Sequence, residues 1–171
     1  LPAVIVGFFI YNFVQDYFRN LQVVGWASIL FGIILFFADK NESGVSSWSE
    51  ISFKNAFIIG LFQIFAFIPG ASRAGVTITA ARFLKFNRYN AAIFSMLLSI
   101  PIILASLVLS LTKAIKDPIF IVNLSQSIFA AIVACVIALL SIHVMMRIIQ
   151  KTNFNIFIFY RIFLGFVLLV F

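Results

Sequence analysis

The chain has 171 residues, 64% of them hydrophobic and 10% charged, with a formal net charge of +7. A soluble domain carries about 25% charged residues, so the composition excludes a water-soluble globule and makes the bilayer the solvent of an all-α integral membrane protein. The twelve Lys and Arg are strung mostly along short loops, with no basic stripe carrying interleaved aromatics, which speaks against a nucleic-acid partner.

Apolar stretches run over 2–18, ending at Asp16, Arg19 and Asn20, and over 21–38, ending at Asp39-Lys40. Residues 39–54 form the one substantial polar loop, in which Ser47 and Glu50 have capping-box spacing and predict a helix starting near Trp48. An apolar piece at 55–68 is broken at Pro69-Gly70 and followed by a short piece to about Leu84. Three long spans then close the chain, at about 89–112, 119–147 and 153–171. Each has the roughly 20 apolar residues that a crossing helix needs. Pro101 falls inside the first of them, where neighbouring helices can satisfy the carbonyl it frees. The whole of 1–171 reads as a single transmembrane domain, a multi-span helical bundle. It begins with Leu1 and shows no cleavable leader, so it is expected to be part of a longer protein.

The segment 55–84 holds two halves, each too short to cross, and admits two topologies. It crosses once as a broken helix, or it dips in and returns. If it returns, one face carries Lys40, Lys54, Arg82, Lys85, Arg88, Arg147 and Lys151, and the other carries Arg19, Lys113 and Lys116. If it crosses, that 7-to-3 split becomes 6 to 4. The positive-inside rule favours the larger asymmetry, so a re-entrant helix-loop-helix at about 55–84 is the preferred reading, with the 39–54 and 82–88 loops cytoplasmic. Re-entrant segments usually come in pairs from inverted repeats; this sequence shows one, half of such an architecture.

The break carries the chemistry. Pro69 removes a donor and restricts Ile68, and Gly70 lets the backbone turn and approach a ligand. Ser72 stands where a cap would open the next helix, whose free N–H groups and positive dipole end make an anion site. Arg73 adds a planar fork that matches phosphate. An arginine in hydrocarbon is unfavourable by about 2.5 to 3.5 kcal/mol on insertion scales, so it marks a working site by default. Thr77 lies one turn beyond Arg73 and can reach the same pocket, and Gly75 keeps that turn thin. Arg161 repeats the clue near the middle of the last span. The five acids are Asp16, Asp39, Glu42, Glu50 and Asp117, all in loops or at span ends, so neither arginine has a carboxylate at its own depth. A bound anion, or acids from elsewhere, must balance them. His143 reads as an interfacial residue and Cys135 as a small lipid- or core-facing one; no histidine or acid spacing makes a metal site in this chain.

Pro69-Gly70-Ala71-Ser72-Arg73-Ala74-Gly75-Val76-Thr77 resembles the P-G-x-S-R-S-G-x-T signature of the bacterial undecaprenyl-diphosphate phosphatase family linked with bacitracin resistance. It departs at Ala74, where the family usually has serine, which removes one hydroxyl. Gly60-Leu61-Phe62-Gln63 resembles the family's Gly-x-x-Gln lead-in. Arg88-Tyr89, Phe94-Ser95, Leu97-Leu98 to Pro101, and Tyr160-Arg161 with Leu164-Gly165 resemble its later helices. The resemblance implies hydrolysis of undecaprenyl diphosphate to undecaprenyl phosphate and inorganic phosphate, recycling the carrier lipid for peptidoglycan synthesis in the bacterial inner membrane. It also implies two re-entrant pairs, a homodimer and a divalent cation (Mg or Ca), with glutamates and a catalytic histidine in a further N-terminal part. On this reading Arg73, Ser72 and Thr77 are the catalytic candidates, and Gly70, Ala71, Gly75, Gln63 and Arg161 the substrate-binding ones. Ser72 or Thr77 serves as nucleophile or phosphate donor; donor is preferred, because no base for a hydroxyl is near. The alternative is a transporter or flippase that uses the same anion pocket without hydrolysis.

Overall fold

A computed structural model describes residues 3–7, 9, 20–41, 51–114 and 124–170. Residues 3–7 and 9 are helical. The remaining elements are α1 (Leu21–Asp39), α2 (Phe53–Phe62) continued by a 3-10 turn (Gln63–Phe67), α3 (Arg73–Phe83), α4 (Arg88–Ala114), α5 (Leu124–Lys151) and α6 (Asn155–Val170). Every element among the described residues is a helix, as the apolar runs predicted. Most of the expected first span and the expected start near Trp48 lie outside the described residues.

Local chemistry sets the boundaries. Asn20 Oδ1 accepts from Gln22 N at 3.1 Å to open α1, and Ser52 Oγ accepts from Asn55 N at 3.2 Å to open α2. Asn87 Oδ1 accepts from Asn90 N at 2.7 Å to open α4. These are the residue types whose short side chains satisfy orphan helix amides. Helix α3 ends in a Schellman pattern. Lys85 takes φ 65°, Phe86 N donates to Ala81 O at 3.0 Å and Lys85 N to Arg82 O at 3.0 Å. Phe86, fully buried, seals that turn.

Sequence reasoning placed the end of the incoming helix at Pro69. The α-helix instead ends at Phe62 and tightens into the 3-10 turn over Gln63–Phe67. Proline acts on its own neighbour: Ile68 is extended, at ψ 117°. The tightening before it satisfies carbonyls of the last turn with shorter-range bonds.

Three helices are long and apolar enough to cross a membrane by length and composition: Leu21–Asp39, Arg88–Thr112 and Gln126–Lys151. The chain is a membrane protein. Helices α1 and α6 pack most closely, because Gly25 and Gly165 face each other; a Cβ at Gly165 would lie 2.7 Å from the Gly25 carbonyl oxygen. Small residues at such a crossing let two backbones approach. Helix α3 lies against α1, α2 and α4. The buried core (Leu35, Ile59, Ile78, Phe86, Ile149, Phe154 and Ile158 among others) gathers where α1 and α3 end and α6 begins. Helix α5 touches it only near its end, through Met145, Met146 and Ile149; residues 126–144 are exposed along their whole length.

The position of the Pro-Gly break along α1 follows from two contacts. Arg82, at the end of α3, bonds to the carbonyls of Asp39 and Asn41 at the end of α1. Ser28 Oγ donates to Gly70 O at 3.2 Å. Eleven residues of helix separate Ser28 from Asp39, about 16 Å at 1.5 Å per residue. The Gly70 carbonyl is thus held about 16 Å along α1 from the end that Arg82 joins.

Candidate functional site

The loop between the 3-10 turn and α3 is built around two unusual backbone positions. Gly70 has φ +91°, and a Cβ there would run into Val24 of α1, 2.9 Å from its Cα and against its carbonyl oxygen. Conformation and space both require glycine. Ala71, fully buried, donates its N–H to Ile68 O at 3.0 Å and closes the turn. Ser72 then takes φ 62° and ψ 113°, its Oγ accepting from Gly75 N at 3.3 Å and its carbonyl from Val76 N at 3.0 Å. Ser72 is the cap that the sequence predicted. The amides of Arg73 and Ala74 have no carbonyl within the helix to donate to, since a helix leaves its first N–H groups free.

Two other helices hold the loop in place. Arg161 on α6 donates through Nη2 to Gly70 O at 2.9 Å and Ala71 O at 2.7 Å, while Ser28 on α1 donates to the same Gly70 O. The carbonyls are thereby tied back. The other terminal nitrogen of Arg161, Nη1, is buried and has no hydrogen-bond partner. It rests against Gly75, where a Cβ would collide with it and would sit 3.4 Å from Ser72 Oγ. Gly75 therefore makes room for a guanidinium, and the unpartnered N–H lies beside the first turn of α3 and the Ser72 hydroxyl.

Arg73 leans the other way. Its Nη1 donates to Ser99 O on α4 at a long 3.3 Å, and the side chain is half-buried. Thr77 does not share its pocket as the sequence reading expected. It is 1% exposed, its hydroxyl donates to Arg73 O at 2.9 Å, and it sits 2.6 Å from Ser95 Oγ on α4. This is a packing contact between α3 and α4. Thr79 similarly turns its hydroxyl to Gly75 O at 2.7 Å. Gln63 is buried in the 3-10 turn, and its Nε2 finds no hydrogen-bond partner. The structure thus brings Gly70, Ala71, Ser72, Gly75 and Arg161 together, turns the Arg73 side chain toward α4, engages the Thr77 hydroxyl with Ser95, and buries Gln63 in the 3-10 turn.

Sequence reasoning missed the other polar cluster. Arg82, counted above as a loop cation, is the largest fully buried side chain among the described residues. It reaches Asp39 Oδ1 through Nε at 3.2 Å, and Arg88 Nε reaches the same oxygen at 2.8 Å. The available signal was an acid at the end of one span and an arginine at the end of the next helix. Asp39 is the one carboxylate among the described residues, and both guanidinium groups on it are far from the loop. No group of three His, Cys, Asp or Glu comes together among the described residues, so these residues do not compose a cation site. The buried Nη1 of Arg161, two free helix amides and the Ser72 hydroxyl lie together, Arg73 stands on the same first turn, and no carboxylate among the described residues joins them. That combination recognises an anion with several oxygens, as phosphate has.

The family described as bacitracin resistance protein BacA matches residues 1–167. Among relatives, the undecaprenyl-diphosphatase of Tropheryma whipplei (strain TW08/27) is 40% identical over 177 residues, covering 99% of this chain and 62% of that protein. The undecaprenyl-diphosphatase of Ruegeria sp. (strain TM1040) is 40% identical over 171 residues, covering 99% of this chain and 63% of that protein. That of Pelagibacter ubique (strain HTCC1062) is 37% identical, covering 99% and 66%. The chain thus spans about three fifths of the length of these relatives. A glycine-dependent loop braced by Ser28 and Arg161 from two neighbouring helices, together with a match along nearly the whole sequence, places this chain in the bacitracin resistance protein BacA family.

Proposed function

We propose that the protein to which this chain belongs hydrolyses undecaprenyl diphosphate to undecaprenyl phosphate and inorganic phosphate, returning the carrier lipid to peptidoglycan synthesis. The observation that carries this reading is the loop that bears Arg73 and is braced by Arg161, with no carboxylate beside it among the described residues. A lipid whose tail lies in the bilayer brings its diphosphate to that place, and the diphosphate supplies the missing negative charge.

In this scheme water attacks the terminal phosphorus, the bond to the bridging oxygen breaks, and undecaprenyl phosphate leaves. Charge grows on the bridging and terminal oxygens. Arg73, the Arg73 and Ala74 amides and Arg161 Nη1 are the donors that meet it, and they act before any reorganisation is needed. Ser72 Oγ accepts from Gly75 N, which leaves its own proton to donate to a phosphate oxygen. Ser72 acts as a donor in this scheme, with water as the nucleophile. A divalent cation, Mg or Ca, belongs to the proposal as a neutraliser of the diphosphate, with its ligands outside the described residues.

The segment 53–83 is re-entrant in this reading. The end of α3 is bonded to the end of α1, and α2 packs on α3, so the pair enters and leaves on one face. Lys40, Arg82, Arg88 and Lys151 lie around two adjoining clefts at that end, which the positive-inside rule makes cytoplasmic. The protein is a multi-pass protein of the bacterial inner membrane and forms a homodimer, the exposed apolar length of α5 being open to lipid or to a second copy.

The test is phosphate release by the purified full-length protein from undecaprenyl diphosphate in detergent. Release of one phosphate per lipid supports hydrolysis. Transfer of the lipid across vesicle membranes with no phosphate released supports a flippase and overturns the reading. Thr77→Val separates packing from catalysis in the same assay. The variant is expected to keep turnover within about threefold of wild type and to lose about 1 kcal/mol of stability in thermal unfolding. A hundredfold loss of turnover would return Thr77 to the substrate.

A further inference from the structure

We infer that Asp39 is a positioning residue that sets the register of the anion loop from the opposite end of the same three helices. The inference rests on the proposed reaction for its kinetic readout and on geometry alone for its second readout.

The observations are the contacts of one carboxylate. Asp39 is 5% exposed. Its Oδ1 accepts from Arg88 Nε at 2.8 Å and lies 3.2 Å from Arg82 Nε as an ion pair, and its Oδ2 accepts from Phe154 N at 3.2 Å. Arg82 in turn donates to the carbonyls of Asp39 at 2.9 Å, Asn41 at 2.6 Å and Phe86 at 2.5 Å. Asp39 thus satisfies a free amide at the start of α6, where a helix favours negative charge. Arg82 satisfies free carbonyls at the end of α1, where a helix favours positive charge. One ion pair ties α1, the α3–α4 turn and α6 together.

The same three helices meet the loop: Ser28 on α1 and Arg161 on α6 bond its carbonyls, and α3 continues directly from it. Ser28 on α1, Arg73 on α3 and Arg161 on α6 lie 11, nine and seven residues from Asp39, Arg82 and Phe154. At 1.5 Å per residue these arms are about 16, 14 and 10 Å long. Helices α1 and α6 are tied near one end by the Asp39 cluster and partway along by the Gly70-Ala71 carbonyls, and α3 runs from the loop to Arg82. A slip of one residue at the ion pair becomes about 1.5 Å at the loop, and a misplacement of about 1 Å can cost on the order of a hundredfold in rate. Stability alone is a weak reason for the pair, because a buried ion pair is often no better than packed apolar residues of the same volume.

Asp39→Asn, nearly the same shape, puts an amide donor against donors. In the full-length protein it is expected to lower kcat by about 30-fold or more, per folded molecule, with KM within about threefold of wild type. Asp39→Glu keeps the charge beside a cleft of about 520 Å³ that admits a methylene, and recovers most of the rate. Arg88→Gln, at a half-buried position, lowers kcat by about three- to tenfold. Because both changes act through one contact, the double variant is no slower than Asp39→Asn. The second readout is a distance between spin labels at Trp26→Cys on α1 and Ala74→Cys on α3, with Cys135 replaced by serine. Asp39→Asn should shift or broaden it by about 1.5 Å.

Wild-type kcat per folded molecule in Asp39→Asn, effects that multiply in the double variant, or an unmoved label distance overturns the inference. If Asp39→Asn does not fold, Arg88→Gln decides, and an unchanged kcat and label distance in it overturn the inference. A wild-type protein that releases no phosphate refutes the proposed reaction instead; the label distance then decides the role of Asp39 by itself.

Discussion

Arg73→Ala in the full-length protein is expected to lower kcat by about 100- to 1000-fold while the protein stays folded, the loss usual for a donor aimed at developing charge. The structure separates the two effects. Arg73 is half-buried, and its one contact across the helices is a 3.3 Å bond to the Ser99 carbonyl, so its removal leaves little behind for the fold to compensate. The loop itself is held by Arg161, Ser28 and the Ser72 cap, none of which needs Arg73. Arg73→Lys should fall between the two, because it restores the charge without the fork that grips two phosphate oxygens at once. Phosphate release gives the rate and thermal unfolding gives the fold. Near wild-type hydrolysis by a folded Arg73→Ala protein would remove the central residue of the proposed mechanism.

Gly70→Ala is expected to cost both stability and turnover. The new methyl meets three obstacles at once: φ of +91°, the Val24 carbonyl oxygen, and the Val24 Cα at 2.9 Å. Backbone strain at such a position costs about 1 to 3 kcal/mol, and overpacking costs typically about 1 to 3 kcal/mol more. The strain is relieved only if α1 moves away, and α1 carries Ser28, one of the two groups holding the Gly70 carbonyl. The loop then shifts relative to Arg161, and a displacement of about 1 Å is enough for about a hundredfold loss of rate. Turnover per folded molecule, read beside the unfolding midpoint, checks both halves. A variant with wild-type values of both would mean that the loop in solution is not the loop described here.

The parts legible in the sequence were those that local chemistry decides. Long apolar runs gave the spans within a few residues: 21–38 against Leu21–Asp39, and 89–112 against Arg88–Ala114. Pro69, Gly70 and Ser72 gave the break, the turn and the cap, because each works on its own backbone and its immediate neighbours. The rest depended on partners far along the chain. Arg161 was recognisable as a deep cation, but its bonds to carbonyls 90 and 91 residues away were not. Thr77 had the spacing to join Arg73 and instead met Ser95, which a neighbouring helix supplies. Arg82 looked like a loop cation because burial of a charge is decided by what surrounds it, here Asp39 and three carbonyls.

Ser72 stands with φ 62° and ψ 113°, a conformation that side chains other than glycine's rarely adopt. Glycine would relax it. A directed search for heat tolerance in this protein would therefore be drawn to Ser72→Gly, and would gain durability by discarding the hydroxyl beside the anion pocket. Sturdiness and work pull in opposite directions at this one residue.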